Sequence, residues 1–383
     1  MKRFLGVLAA LALVFGLLPG KAQAIELEVE GKSAILMDMA TGTVLYEKNA
    51  HERLSPASVT KVMTMLLIME AIDSGRIGWD DMVTASEEAA AKGGSQVYLK
   101  VGETMSVRDM LKSIAVSSAN DCACAMAEHI AGSEGAFVEQ MNAKAKELGM
   151  NDTNFVNCTG LDDGAAAENH KTSAYDIAIM SRELLKNHPK IKEFTTIWMD
   201  TIRNGEFGLS NTNKLVRFYS GCTGLKTGFT SGAGYCLSAT AEREGMGLIA
   251  VVMGCETSKE RNAACKSLLD YGFANFAYVA PELPQGTQVS VTLGRADSVD
   301  AVAGGATGLL IDKSQKNSIT TELELLPSVA APVSRGQKLG TMTVRSGEQI
   351  LAKVPLVAAV GVERLNWGDL FVRTLKKVAM AGE

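Results

Sequence analysis

The chain has 383 residues, of which 46% are hydrophobic and 21% charged, with 38 basic side chains against 43 acidic ones and a net charge of −5. An acidic balance argues against a nucleic-acid partner, which would call for a basic footprint. The length exceeds one typical domain, so two are expected.

Met1-Lys2-Arg3, an apolar run from Phe4 to Leu18 and the stretch Pro19-Gly-Lys-Ala-Gln-Ala24 read as a secretory signal peptide ending in an A-x-A cleavage site. Its fifteen-residue apolar run is short for a membrane span, which takes about 20. Cleavage after Ala24 leaves 359 residues with 35 basic and 43 acidic side chains, a net charge of −8. No later segment is long and apolar enough to cross a bilayer. The expectation is an extracytoplasmic protein, secreted and working at the outer face of the cytoplasmic membrane.

Ser33 to Asp38 and Thr43 to Glu47, with Thr41-Gly42 between them, read as a β-hairpin. Pro56 precedes a helix whose Val59, Val62, Met63, Leu66, Met69 and Ile72 leave almost no polar face, and such a helix is buried. Ser106-x-x-Asp109 resembles a capping box for a helix through Ile114, and Asp121 to Ile130 reads as another, ended by Gly132. Strands then follow at Gly224 to Thr230, Tyr235 to Ala241 and Leu248 to Met253, before Arg261 to Phe276 returns to helical spacing. This order predicts an α/β (α+β) domain over residues 25–279: an antiparallel sheet drawn from both chain ends, with a helical block inserted.

Pro284-Gln-Gly286 and Pro332-x-x-x-Gly336 punctuate short alternating runs such as Gln288 to Thr292 and Lys338 to Val344, which predicts a small all-β domain over 280–361. Residues 362–383 read as a basic amphipathic helix, with Trp367, Leu370, Phe371, Leu375 and Val378 on one face and Asp369, Arg373, Lys376 and Lys377 elsewhere. Peripheral membrane contact is expected of it.

The seven cysteines, at 122, 124, 158, 222, 236, 255 and 265, are an odd number without repeated spacing, so at least one is unpaired. Cys122 and Cys124 point to different faces of a predicted helix, and small buried hydrophobes are the favoured reading of the set. The four histidines (51, 129, 170 and 188) lack paired spacing, which argues against a zinc site. Neither a metal nor a cofactor is expected.

Three motifs carry the chemistry: Ser58-Val-Thr-Lys61, Ser118-Ala-Asn120 and Lys226-Thr-Gly228, each occurring once. Ser58 and Lys61, three apart on a helix, share a face, so Lys61 can take the proton from the serine hydroxyl. An ordinary lysine, with a pKa near 10.4, is protonated at neutral pH. Burial in an apolar helix disfavours the ammonium, and Lys226 can be a second cation that disfavours it further. Ser118 and Asn120, expected in a loop between helices, would relay a proton to the leaving group and bind a substrate amide. On its strand Gly228 lacks a side chain, so a peptide can pair closely with the edge. The backbone N–H groups of Ser58 and Phe229 are the candidate oxyanion hole.

With these residues the chain resembles the D-alanyl-D-alanine carboxypeptidases, the low-molecular-mass penicillin-binding proteins of the S11 peptidase type, over essentially its whole length. Pro56 to Thr64, Gly93-Gly-Ser-Gln-Val97, Gly160-Leu-Asp162, His170-Lys-Thr-Ser-Ala-Tyr-Asp176 and Leu268-Leu-Asp-Tyr-Gly-Phe273 add to the likeness. The resemblance implies a DD-peptidase-like fold and acylation of Ser58 by peptidoglycan stem peptides ending in D-Ala-D-Ala. It also implies acylation of the same serine by β-lactam antibiotics. Arg261 and Thr227 would hold the substrate's terminal carboxylate, a task suited to a bidentate guanidinium; an exposed helix arginine is the alternative. Cys158-Thr159 stands where some relatives carry Pro-His.

The nearest rival is a class A β-lactamase, which shares the three motifs and adds a glutamate for deacylation. Glu147-Leu-Gly-Met-Asn151 superficially resembles that loop but reads more naturally as a helix end. A catalytically inactive peptidoglycan-binding protein is the other alternative, and the intact motifs weigh against it.

Overall fold

The computed structural model describes residues 27–162, 164–305 and 308–380. The expected signal peptide lies outside them. Strand β1 (Ser33–Asp38) pairs antiparallel with β2 (Val44–Lys48), and Asp38 Oδ1 closes the turn by accepting from the Thr41 backbone N–H at 2.7 Å and its hydroxyl at 2.6 Å. A single 3₁₀ turn, Ala57–Thr60, leads into α1 (Lys61–Asp73). Every residue of α1 from Lys61 to Met69 is buried, which is why its sequence shows no polar face.

Around α1 pack α2 (Val107–Ser117), α3 (Asn120–Ala131), α4 (Glu134–Glu147) and α5 (Ala174–Asn187). The Ser106 hydroxyl caps α2 by accepting from Asp109 N–H at 3.2 Å, and Gly132, at φ 83°, ends α3. Asn120 is the first residue of α3 rather than part of a loop.

The chain then returns to the sheet as β3 (Cys222–Thr230), β4 (Gly234–Arg243) and β5 (Met246–Cys255). The order is β2-β1-β5-β4-β3, antiparallel throughout, so both chain ends build one sheet and β3 is an edge. One face, through Ile35, Met37, Ile249 and Val251, packs on the helical block; the other, through Leu36, Ala239 and Leu248, packs on Leu268 and Leu269 of α6 (Ser258–Asn275). Phe276 does not close that helix: its backbone is extended, at φ −116° and ψ 155°, and it opens β6 (Phe276–Val279).

The strands that follow along the chain are β7 (Gln288–Thr292), β8 (Ser298–Ala303), β9 (Leu309–Asp312), β10 (Ile319–Leu325), β11 (Ser328–Ala330), β12 (Lys338–Ser346) and β13 (Gln349–Ala358). Six of them form a sheet in the order β10-β12-β13-β8-β7-β11, around Val289, Val299, Leu339, Met342 and Leu356, while β9 pairs with β6. The last element is α7 (Trp367–Met380), which leaves Trp367 88% and Phe371 64% exposed. Among the described residues no helix is long and apolar enough to cross a membrane.

Candidate active site

Ser58 lies half-buried in the 3₁₀ turn, and Lys61 opens α1 one turn later. Lys61 Nζ is 2.8 Å from Ser58 Oγ and donates to the Thr159 carbonyl at 2.7 Å. The residue before the serine, Ala57, has φ 48°, a left-handed conformation that a side chain adopts only when its surroundings hold it there. Three neighbours do so. Thr60 Oγ1 donates to the Ala57 carbonyl at 2.8 Å; a Cβ on Gly160 would meet that carbonyl oxygen at 1.9 Å; a Cβ on Gly228 would meet Pro56 O at 2.6 Å. Gly228 therefore admits the serine turn against β3, a closer reason for the missing side chain than the approach of a ligand.

Thr60 is itself held by His170, an arrangement that the sequence does not reveal. His170 Nδ1 accepts from Val156 N–H at 3.1 Å, so its proton is on Nε2, which faces Thr60 Oγ1 at 2.7 Å. Burial, then the charges of Lys171 and Lys61, pull the His170 pKa down to about 4, so the ring is neutral at ordinary pH.

Complete burial likewise pulls Lys61 down, from 10.5 to about 7, against the opposing pull of Cys158 and Asp121. Lys226 is not the main cause. Its own pKa is driven well below 10.5 by burial and then by Lys61 and Arg261. Lys226 Nζ donates to Thr227 O at 2.9 Å.

Ser118 ends α2 in a left-handed conformation, at φ 63° and ψ 29°. Among the described residues its buried hydroxyl has no partner, and neither does Asn120 Oδ1, while Asn120 Nδ2 donates to Gly93 O at 2.7 Å. Buried polar atoms left unmatched are costly, and they mark where a ligand's groups would bond. The two helices' junction connects to β3 through Thr212, whose N–H bonds Val116 O at 3.2 Å and whose hydroxyl accepts from Thr227 at 2.6 Å.

Arg261, on the first turn of α6, is not the exposed helix arginine of the alternative reading: it is only 6% exposed. Its Nε donates to Asn262 Oδ1 at 3.2 Å, its guanidinium lies 5.7 Å from the Tyr235 ring centroid, and burial pulls its pKa down. Neither Arg261 nor Lys226 forms an ion pair among the described residues. Two buried cations without an anion make a site that a carboxylate would complete. Phe229 follows Gly228 on the edge strand and is 53% exposed, its ring centroid 4.2 Å from that of Tyr235. A surface hollow of about 690 Å³, lined by Met39, Lys186, Glu242 and Arg243, contains none of these groups.

Such a corner can activate a serine with a neutral amine and receive an acyl donor that ends in a carboxylate. The family model for D-alanyl-D-alanine carboxypeptidase matches residues 20–257, and that for the penicillin-binding protein 5 C-terminal domain matches 282–364. D-alanyl-D-alanine carboxypeptidase DacF of Bacillus subtilis is 44% identical over 358 residues, covering 91% of this chain and 90% of its own. The structure of penicillin-binding protein 5 from Haemophilus influenzae superposes with a TM-score of 0.74 at 32% identity, over 88% of this chain and 99% of that one. Ampicillin-bound penicillin-binding protein D2 from Listeria monocytogenes gives 0.59 at 33% identity, over 64% and 99%. Fold, site geometry and sequence agree, and the chain belongs to the S11 peptidase family of D-alanyl-D-alanine carboxypeptidases.

Proposed function

We infer that the protein is a serine-type D-Ala-D-Ala carboxypeptidase that removes the terminal D-alanine of peptidoglycan stem peptides and binds penicillins through the same serine. The observation that carries this reading is the 2.8 Å contact between Ser58 Oγ and a Lys61 amine that burial brings to a pKa of about 7. At neutral pH a large fraction of Lys61 is the free base, able to take the Ser58 proton as Oγ attacks the penultimate residue's carbonyl. The backbone N–H groups of Ser58 and Phe229 receive the developing oxyanion. Ser118 passes a proton to the departing D-alanine nitrogen, and Asn120 Oδ1 accepts from the substrate amide. Lys226, Thr227 and Arg261 take the terminal carboxylate, whose negative charge restores the protons that burial loosens on the two cations. Water then hydrolyses the ester.

A β-lactamase would need a carboxylate to activate that water. Glu147 ends α4 with its side chain 65% exposed and paired to Lys144 at 2.8 Å, which suits a helix end. The N-terminal pattern supports export, and the exposed Trp367, Phe371 and Leu375 of α7 support a site of action at the outer face of the cytoplasmic membrane, with α7 as a peripheral contact. Mass spectrometry after incubation with penicillin, followed by assay of D-alanine release from a D-Ala-D-Ala peptide, tests the reading. A long-lived adduct on Ser58 with D-alanine release is expected; rapid turnover of a chromogenic cephalosporin with no D-alanine release would favour the rival.

A further inference from the structure

Lys61 Nζ donates to the Thr159 carbonyl as well as meeting Ser58 Oγ, so the base is aimed by a peptide group of the segment 157–161. That segment belongs to no helix or strand, and side chains fix it. Asn157 Oδ1 accepts from the N–H groups of Thr159 at 3.1 Å and Gly160 at 2.7 Å, and Thr64 Oγ1 donates to the Cys158 carbonyl at 2.6 Å. The Cys158 N–H goes to a residue farther off: Glu134 Oε1 accepts from it at 3.0 Å, and from the Cys158 thiol at 3.1 Å.

Glu134 is the first residue of α4, whose Ser133 cap accepts from Ala136 N–H at 3.2 Å, so its backbone is fixed by a long helix. Its side chain is 12% exposed, and its other oxygen, Oε2, accepts from Lys92 Nζ at 2.6 Å. Burial opposes the charge, but the bonds from Lys92 and Cys158 outweigh it and hold the carboxyl below its ordinary pKa. Glu134 is therefore ionised wherever Lys61 is a base, with one oxygen for the ammonium and one for Cys158. Glu88 and Cys124 stand close enough to make a set of metal ligands with it, but the Lys92 ammonium, 3.3 Å from Glu88, already sits between the carboxylates.

We propose that Glu134 is a positioning residue for the general base: through the Cys158 N–H it holds the Thr159 carbonyl where that carbonyl receives Lys61 Nζ. The effect on rate rests on Lys61 acting as the base; the hold on Cys158 does not. Glutamine cannot take the place of this carboxylate. Its one oxygen can face the peptide N–H or the ammonium, and in either orientation its NH2 meets the other donor. Two buried donors face to face are relieved by movement, and the irregular segment 157–161 moves more easily than the helix. A misplacement of roughly 1 Å in a reacting constellation can cost about 100-fold in rate. It also takes an acceptor from the Lys61 ammonium, which lowers the pKa of that amine.

The test is Glu134→Gln in the whole chain, with and without Lys92→Met, which frees the glutamine oxygen to face Cys158 with its amide toward Glu88. Expected in Glu134→Gln are a plateau rate of penicillin acylation lowered roughly 10- to 100-fold and an acid limb moved below the wild-type midpoint of about 7. Cys158, Asp121, His170 and Lys226, the titratable groups around Lys61, are the same in every variant. Amide hydrogen exchange at Cys158 should quicken in Glu134→Gln, and exchange, rate and limb should all return toward wild type when Lys92→Met is added. A destabilised fold would instead lower the amount of active protein and leave the limb in place. An unchanged rate and limb in Glu134→Gln, a slowed variant whose Cys158 amide stays protected, or a double variant no faster than the single one overturns the positioning role. Wild-type protein that is never acylated at Ser58 strikes the proposed function instead, and exchange at Cys158 still decides whether Glu134 holds the segment.

Discussion

At Lys61 the protein sets the charge of one amine by excluding water, and the consequence is a pH dependence of definite sign. The free base acts, so below a pKa of about 7 acylation should fall tenfold per pH unit, and above it the rate should level. Stopped-flow penicillin acylation across that range measures it; a rate still climbing at pH 9, well past that pKa, would place the base elsewhere. Lys61→Arg keeps a cation that never becomes a base, so acylation should drop by about 100-fold or more while the fold persists. Arg261 makes a different prediction, because a buried guanidinium without an anion implies a carboxylate-terminated substrate. Arg261→Gln should lower kcat/KM on a free-acid D-Ala-D-Ala peptide roughly 10- to 100-fold, the worth of a charged hydrogen bond, and change little on the same peptide ending in an amide. Equal losses on both peptides would make Arg261 structural. The three motifs themselves were legible because each places chemically distinctive residues within four positions. Burial of Arg261 was not, since it depends on how α6 meets β4.

The serine turn is the element where sequence reading runs out. Its motif announces the chemistry, but what holds Ala57 at φ 48° comes from distant segments: Gly160, Gly228 and the His170–Thr60 pair. A glycine's purpose cannot be read without knowing which backbone passes it, which is why Gly228 suggested a ligand and turned out to face Pro56. Gly160→Ala would set a Cβ 1.9 Å from the Ala57 carbonyl oxygen at a residue with φ 82°, so it should destabilise by about 2 kcal/mol or more, read as a lowered denaturation midpoint. His170 is a positioning residue. His170→Ala should slow acylation at least about tenfold, within the range expected of a misplaced reacting group, whereas His170→Gln, whose amide can accept from Val156 and donate to Thr60, should recover much of the rate. Equal rates in the two variants would show that the ring only fills space. The cysteines were legible from composition alone: all seven are free, and all but the half-buried Cys222 are buried.

On the scale of the whole molecule, the sheet order and helical insert were legible because β1, β3, β4 and β5 keep strand-length apolar runs and α1 is apolar all round. The passage between the two sheets was harder. Phe276 fits the helical spacing of α6, yet it is extended because β6 pairs with β9, some thirty residues ahead. At the far end α7 follows a β-sheet whose core is already filled, and its Trp367, Phe371, Val372 and Leu375 are each more than half exposed. Arg295 ties the start of the helix down through Asp369 at 3.3 Å, an exposed ion pair that contributes little. An apolar stripe on a terminal helix that the β domain does not cover is suited to the membrane interface, and cationic residues in the same segment add attraction to anionic headgroups. Cutting after Gly361 should therefore release the protein from anionic liposomes in a co-sedimentation assay while D-alanine release from a soluble peptide is unchanged. Equal sedimentation of the two forms would refute the anchor, and activity lost with the helix would mean that α7 supports the fold instead of meeting lipid.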